Sequence, residues 1–124
     1  MGPSDFGPIY AETNFNSFPV EPFNTYSNLL FLFTFLFFLK KTRFNGKKFP
    51  LLVVSLPILF IGFVGGTLYH ATRSWQVWLI MDYMPIIILA MLASITYWSK
   101  VFKNKIFGFL VGIGSVLISR LIFM

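Results

Sequence analysis

Four ionisable side chains fall within or against the long apolar stretches of this 124-residue sequence: Glu21, His70, Asp82 and Arg120. Ionisable groups in membrane-spanning helices are costly and by default mark a functional site. An imidazole and a carboxylate held at one depth can bind a metal ion or pass a proton. His70 is the single histidine and there is no cysteine. That leaves no disulfide framework, no thiolate metal site and no cysteine nucleophile, and it caps any metal or acid–base site of the chain. Asn24, Ser27 and Asn28 follow Glu21 on a stripe set by the i, i+3, i+4 rule. Each residue also has a plainer use. The two Asn and the Ser could be interhelical hydrogen-bond glue, and His70 could be an interfacial histidine. Arg120, near the end of the last apolar run, is expected to snorkel. Asp82 is harder to dismiss, because a carboxylate at that depth needs a cation, a donor network or a metal.

The elements that must position these groups are set by composition. Hydrophobic residues make up 56% of the sequence and charged residues only 11%, against roughly 25% charged in soluble domains. A water-soluble globule is excluded. A bilayer core of about 30 Å needs about 20 predominantly apolar residues in a helix. Four runs come near that length: 24–39, with the stretch LLFLFTFLFFL, then 51–69, 77–98 and 106–124. Lipid offers the backbone no partners, so each must be helical. The expected fold is therefore all-α: one multi-pass membrane domain over 1–124, with four transmembrane helices and a leader at 1–23. Pro57 and Pro85 should kink their helices rather than break them. Gly62, Gly65 and Gly66 should let a neighbouring helix approach closely.

The leader has no basic residue and no cleavage signal, so the first helix is expected to stay as an anchor. Loop 40–48 (KKTRFNGKK) carries five Lys or Arg, loop 100–105 carries three, and the turn 70–76 only Arg73. These counts place the N-terminus outside or in a lumen and both basic loops in the cytoplasm. The net charge of +6 thus reads as topology and attraction to anionic headgroups, not as nucleic-acid binding. Trp75, Trp78 and Trp98 sit near helix ends, as interfacial aromatics do. In this topology Glu21, Asn24, Ser27, His70 and Asp82 converge at one side of the membrane, with Asp82 roughly 7 Å deep at 1.5 Å per residue.

The segments EPFNTYSN (Glu21 to Asn28) and GGTLYHATRSWQVWLIMDYMP (Gly65 to Pro85) resemble the alkaline ceramidase family. That family lies within a superfamily of membrane hydrolases that also holds adiponectin-receptor-like and hemolysin-III-like proteins. The resemblance covers about Tyr10 to Pro85. It implies the first part of a seven-helix bundle that hydrolyses the amide bond of ceramide-type lipids through a zinc-bound water. In that pattern a Glu/Asn/Ser stripe opens the first helix and a Ser-x-x-x-His ends the second. An Asp lies early in the third, and a His-x-x-x-His pair lies on the last. His70 then resembles the first zinc ligand and Asp82 the acid that activates the water, while Glu21, Asn24 and Ser27 form the stripe. The resemblance further implies calcium at Glu12 and Asn14, in YAETN, together with Glu21. These are hard oxygen ligands, and a merely solvated leader is the alternative.

Three departures matter. Ile9 stands where a further acidic calcium ligand is expected. Gly66, not Ser, lies four residues before His70, and the adjacent Thr67 points about 100° away on a helix. A catalytic zinc takes three protein ligands and an open position. His70 and Asp82 supply at most two, so an isolated copy is expected to hold an incomplete site. A second reading is a non-catalytic four-helix membrane protein that keeps half the fold for binding, sensing or partner interaction. A transporter or channel subunit predicts polar residues spread across the membrane and ranks last. Self-association could bring two His70 side chains together, though no motif demands it.

Overall fold

The computed structural model describes residues 7–122. Among them the ordered elements are five helices: α1 (Pro22–Ser27), α2 (Leu29–Thr42), α3 (Pro50–Thr72), α4 (Gln76–Val101) and α5 (Lys105–Ile122). Helices α1 and α2 meet at Asn28, whose backbone stays in the right-handed helical region, so together they make one span, Pro22–Thr42. This span, α3 and α4 are 21, 23 and 26 residues long and apolar enough to cross a membrane, while the apolar part of α5, Lys105–Ser119, is shorter. The chain is a helical membrane protein. Three expected spans end too early, at 39, 69 and 98. The helices run on through polar last turns that carry Lys40 and Lys41, His70, and Lys100, where positive charge suits the helix C-terminus. Residues 123–124 of the expected fourth span, and the Arg120 side chain, lie outside the described residues. Both Pro57 and Pro85 sit inside unbroken helices.

Local chemistry sets the helix ends. Pro occupies the first turn of α1 and of α3, where its missing N–H costs nothing. The Glu12 carboxylate accepts the backbone N–H of Phe23 at 2.6 Å and of Asn24 at 2.9 Å, satisfying two orphan donors of α1. The α3 helix stops at Arg73, whose backbone is left-handed (φ 48°) and whose N–H returns to Tyr69 O at 2.7 Å. Asn104 Oδ1 caps α5 by accepting from Ile106 N at 2.9 Å.

The chain divides into two compact units, Met1–Ile86 and Ile87–Met124. In the first, the leader folds back onto the end of α3: Val20 N–H donates to Ala71 O and Glu21 N–H to His70 O, each at 3.0 Å. Carbonyls that the helix end leaves open are thereby paired. Buried side chains include Glu21, Thr25, Asn28, Thr42, His70 and Arg73, whereas Phe33 and Phe37 are 65% and 61% exposed. Polar groups inside and large apolar ones outside suit a lipid surround. In the second unit Gly112 lies under Ile95, where an added Cβ would stand 2.8 Å from Ile95 Cα, and the Ser94 and Ser115 hydroxyls pair at 2.9 Å.

In the first unit the backbone of Met81 comes up against Gly65. A Cβ there would stand 2.5 Å from the carbonyl carbon of Met81 and 2.7 Å from its oxygen, whereas one at Gly62 would be 3.2 Å from Pro85 Cβ. A backbone cannot swing aside as a side-chain tip can. Gly65→Ala is therefore expected to cost about 1–3 kcal/mol of stability. Gly62→Ala should cost clearly less, the two being compared by denaturant or thermal unfolding in detergent.

Candidate active site

His70 stands in the last turn of α3 and is 7% exposed. Its Nδ1 lies 2.5 Å from Glu21 Oε2. An ionised carboxylate only accepts, so Nδ1–H donates and Nε2 is the nitrogen facing the cluster. Across from Nε2, at 3.5 Å, is Asp82 Oδ2 on α4. Asp82 reaches that place because Gly66 leaves room: a Cβ on Gly66 would be 2.5 Å from Asp82 Oδ1 and 3.0 Å from the Asn28 amide. The short connection after α3 starts α4 at Gln76, which returns Asp82 alongside the last turns of α3. Glu21, His70 and Asp82, which the topology expectation put together, are together.

Glu21 is fully buried. Its Oε1 accepts from Thr13 Oγ1 at 2.7 Å and from Arg73 Nη1. Burial pushes its carboxyl up, but the hydrogen bonds from Thr13, His70 and Arg73, with the Arg73 charge, outweigh burial and hold it below its ordinary value. The Tyr10 ring meets His70 edge-on at 5.8 Å. Burial, then the charges of Glu21 and Asp82, push the Tyr10 phenol above its ordinary value against the pull of Arg73.

The polar stripe on the first span is displaced from the expected one. Ser27 is exposed and its hydroxyl donates to Asn24 O at 2.9 Å, while half-buried Asn24 gives its N–H to Glu12. The inward residues are Glu21, Thr25 and Asn28. At about 100° per residue, positions 25 and 28 return to within about 40° of position 21, whereas 24 and 27 drift progressively away. Asn28 Nδ2 and Thr67 Oγ1 are buried and lack a hydrogen-bond partner among the described residues. Asn14 Oδ1 accepts from Asn16 N at 3.0 Å. Arg73, the ion-pair partner of Glu21, is the neighbour of the cluster that sequence reasoning missed. It was visible only as the lone basic residue of a turn, three positions after His70.

A histidine oriented by one carboxylate and facing a second, where the end of α3 meets the start of α4, is an arrangement suited to metal-assisted or acid–base hydrolysis. The family model for ceramidase matches residues 10–124, and the chain belongs to the ceramidase family. No curated protein and no solved structure matches it. Family membership and the apolar helices together make this a multi-pass, ceramidase-like membrane hydrolase, with a lipid such as ceramide as the substrate class.

Proposed function

We propose that this chain supplies the His70–Asp82 part of a zinc-dependent site that hydrolyses the amide bond of ceramide-type lipids. The observation that carries the reading is the 3.5 Å approach of Asp82 Oδ2 to His70 Nε2, with Nδ1 already held by Glu21. This geometry fits a zinc ligand. An imidazole whose far nitrogen donates to a carboxylate is the usual orienting arrangement for a metal-binding histidine. His70 would hold the ion through Nε2. Zinc bound there supplies Lewis-acid chemistry, polarising the amide carbonyl and lowering the pKa of water.

The chain's own residues do the rest. Glu21 fixes the tautomer and ring plane of His70. Asp82 Oδ2 takes the proton from the attacking water and returns it to the nitrogen of the departing sphingoid amine. The unpartnered Asn28 Nδ2, beside Gly66, is a donor that can meet a carbonyl oxygen where the family pattern has a Ser. His70 is the only imidazole in the sequence, so a three-histidine zinc set cannot be made by one copy of these 124 residues. The distribution of Lys and Arg supports a leader outside or in a lumen, with loops 40–48 and 100–105 cytoplasmic. The site then opens on the non-cytoplasmic side.

Elemental analysis of the purified protein tests the reading. Zinc at stoichiometry with the assembled site, lost on His70→Ala, is expected. Zinc below stoichiometry and unmoved by that substitution would leave the non-catalytic membrane protein as the better description.

A further inference from the structure

The leader oxygens that the family resemblance gives to calcium are already occupied. Both oxygens of Glu21 are engaged, Oε1 by Thr13 and Arg73 and Oε2 by His70. Those of Glu12 cap α1 through Phe23 N and Asn24 N. Asn14 Oδ1 is turned to Asn16 N. A guanidinium meets three oxygens of the leader region, one from each of Glu21, Pro8 and Gly7. Arg73 Nη1 donates to Glu21 and, at 2.8 Å, to Pro8 O, and Nη2 lies 3.3 Å from Gly7 O. The Arg73 side chain is fully buried, and its Cζ stacks 4.8 Å from the Tyr69 ring.

We propose that the Arg73 guanidinium is the resident cation of this leader, doing with five fixed N–H donors what a divalent ion does with its coordination sphere, so that the leader and Glu21 are held in place without calcium. Three physical points support it. A carboxylate and carbonyl oxygens are what a hard cation would gather, and here they gather around Arg73. A divalent ion brought to Glu21 would have to displace or sit beside a buried positive charge, which costs heavily at low dielectric. Ile9 offers no oxygen-bearing side chain where a further acidic ligand would be needed. The Arg is also well placed to stay. Its left-handed backbone ends α3, and a cation at a helix C-terminus is favoured by the helix dipole. Leader, α3 terminus and His70 are thus tied through one side chain, Glu21, with Arg73 as its counter-charge. This holds whether or not His70 binds zinc.

The test is hydrogen exchange at the Val20 and Glu21 amides, which bond to the end of α3, together with melting temperature, on the full chain in detergent. For the wild type, millimolar calcium or excess EGTA should shift Tm by less than about 1 °C, because a ligand that does not bind the folded state cannot stabilise it. Arg73→Leu tolerates the same backbone and should speed exchange at both amides by about 10-fold or more through local opening. Arg73→Lys, which keeps the charge but not the fork, should fall between the two. Calcium added to Arg73→Leu should slow exchange again, since the freed Glu21 carboxylate then lacks a cation. A saturable calcium-induced rise in the wild-type Tm would overturn the proposal even if neither variant folds. So would unchanged exchange in a folded Arg73→Leu protein.

Discussion

Replacing Glu21 with Gln is expected to cost about 3–5 kcal/mol of stability, because it removes one partner from a buried ion pair and strands the other. The side chain is wholly buried and Arg73 only 4% exposed, so water cannot take over the lost charge. Gln keeps the volume but can offer only one acceptor oxygen where the carboxylate serves Thr13, His70 and Arg73. A double-mutant cycle separates the ion pair from mere packing. Glu21→Met with Arg73→Leu should be much less unstable than the sum of the single changes, since no charge is then left buried and alone. Additive losses would mean that the two residues contribute independently. The same carboxylate sets an acid limit. Its folded-state pKa lies below the ordinary 4.5. The linked stability is therefore complete above about pH 4.5 and drains away as pH falls through the folded value. A melting-temperature profile should bend downward on that acid side, and Glu21→Gln should remove the part of the bend that this group supplies.

The four apolar runs were legible because a bilayer imposes a length that composition alone reveals. The pairing of His70 with Asp82 was legible for a related reason. Two polar groups on consecutive spans, each near the same membrane face, have few other places to go. What the sequence did not disclose depends on local geometry with no periodic signature. The stripe on the first span was misjudged because Asn24, Ser27 and Asn28 look alike as polar residues, while the inward face of α1 is decided by Glu21, which precedes the helix and anchors its rotation. Thr25, ambiguous in any membrane helix, turned out to be on that face. Arg73 was hidden for a different reason. In a turn of the form T-R-S-W a lone Arg reads as an exposed topology charge. It is buried because α3 ends in a left-handed residue and because residues 7–21 return across that end, and neither event leaves a pattern in a linear string.

Where the proposed zinc site is assembled, Asp82→Asn is expected to lower kcat for amide hydrolysis of ceramide by about 10²–10⁴-fold, the range a positioned general base and acid contributes. Asn matches the carboxylate in shape. It should keep the contact with Gly66 and leave stability within about 0.5 kcal/mol of wild type, as a partly exposed substitution does. The loss should thus appear in turnover while Tm, and exchange at Val20 and Glu21, stay put. A structural role for Asp82 predicts the reverse pairing, a fall in Tm with activity tracking the folded fraction. Gly66→Ala sharpens the distinction without touching any ionisable group. Its methyl would occupy a point 2.5 Å from Asp82 Oδ1 and 3.0 Å from Asn28, so the carboxylate, as the flexible end of its side chain, must shift from its present place beside His70. If Asp82 moves the proton, Gly66→Ala should reduce kcat substantially, by less than Asp82→Asn. Full activity in the zinc-loaded Asp82→Asn protein would take Asp82 out of the reaction and leave His70 as the one residue of the pair with a chemical role.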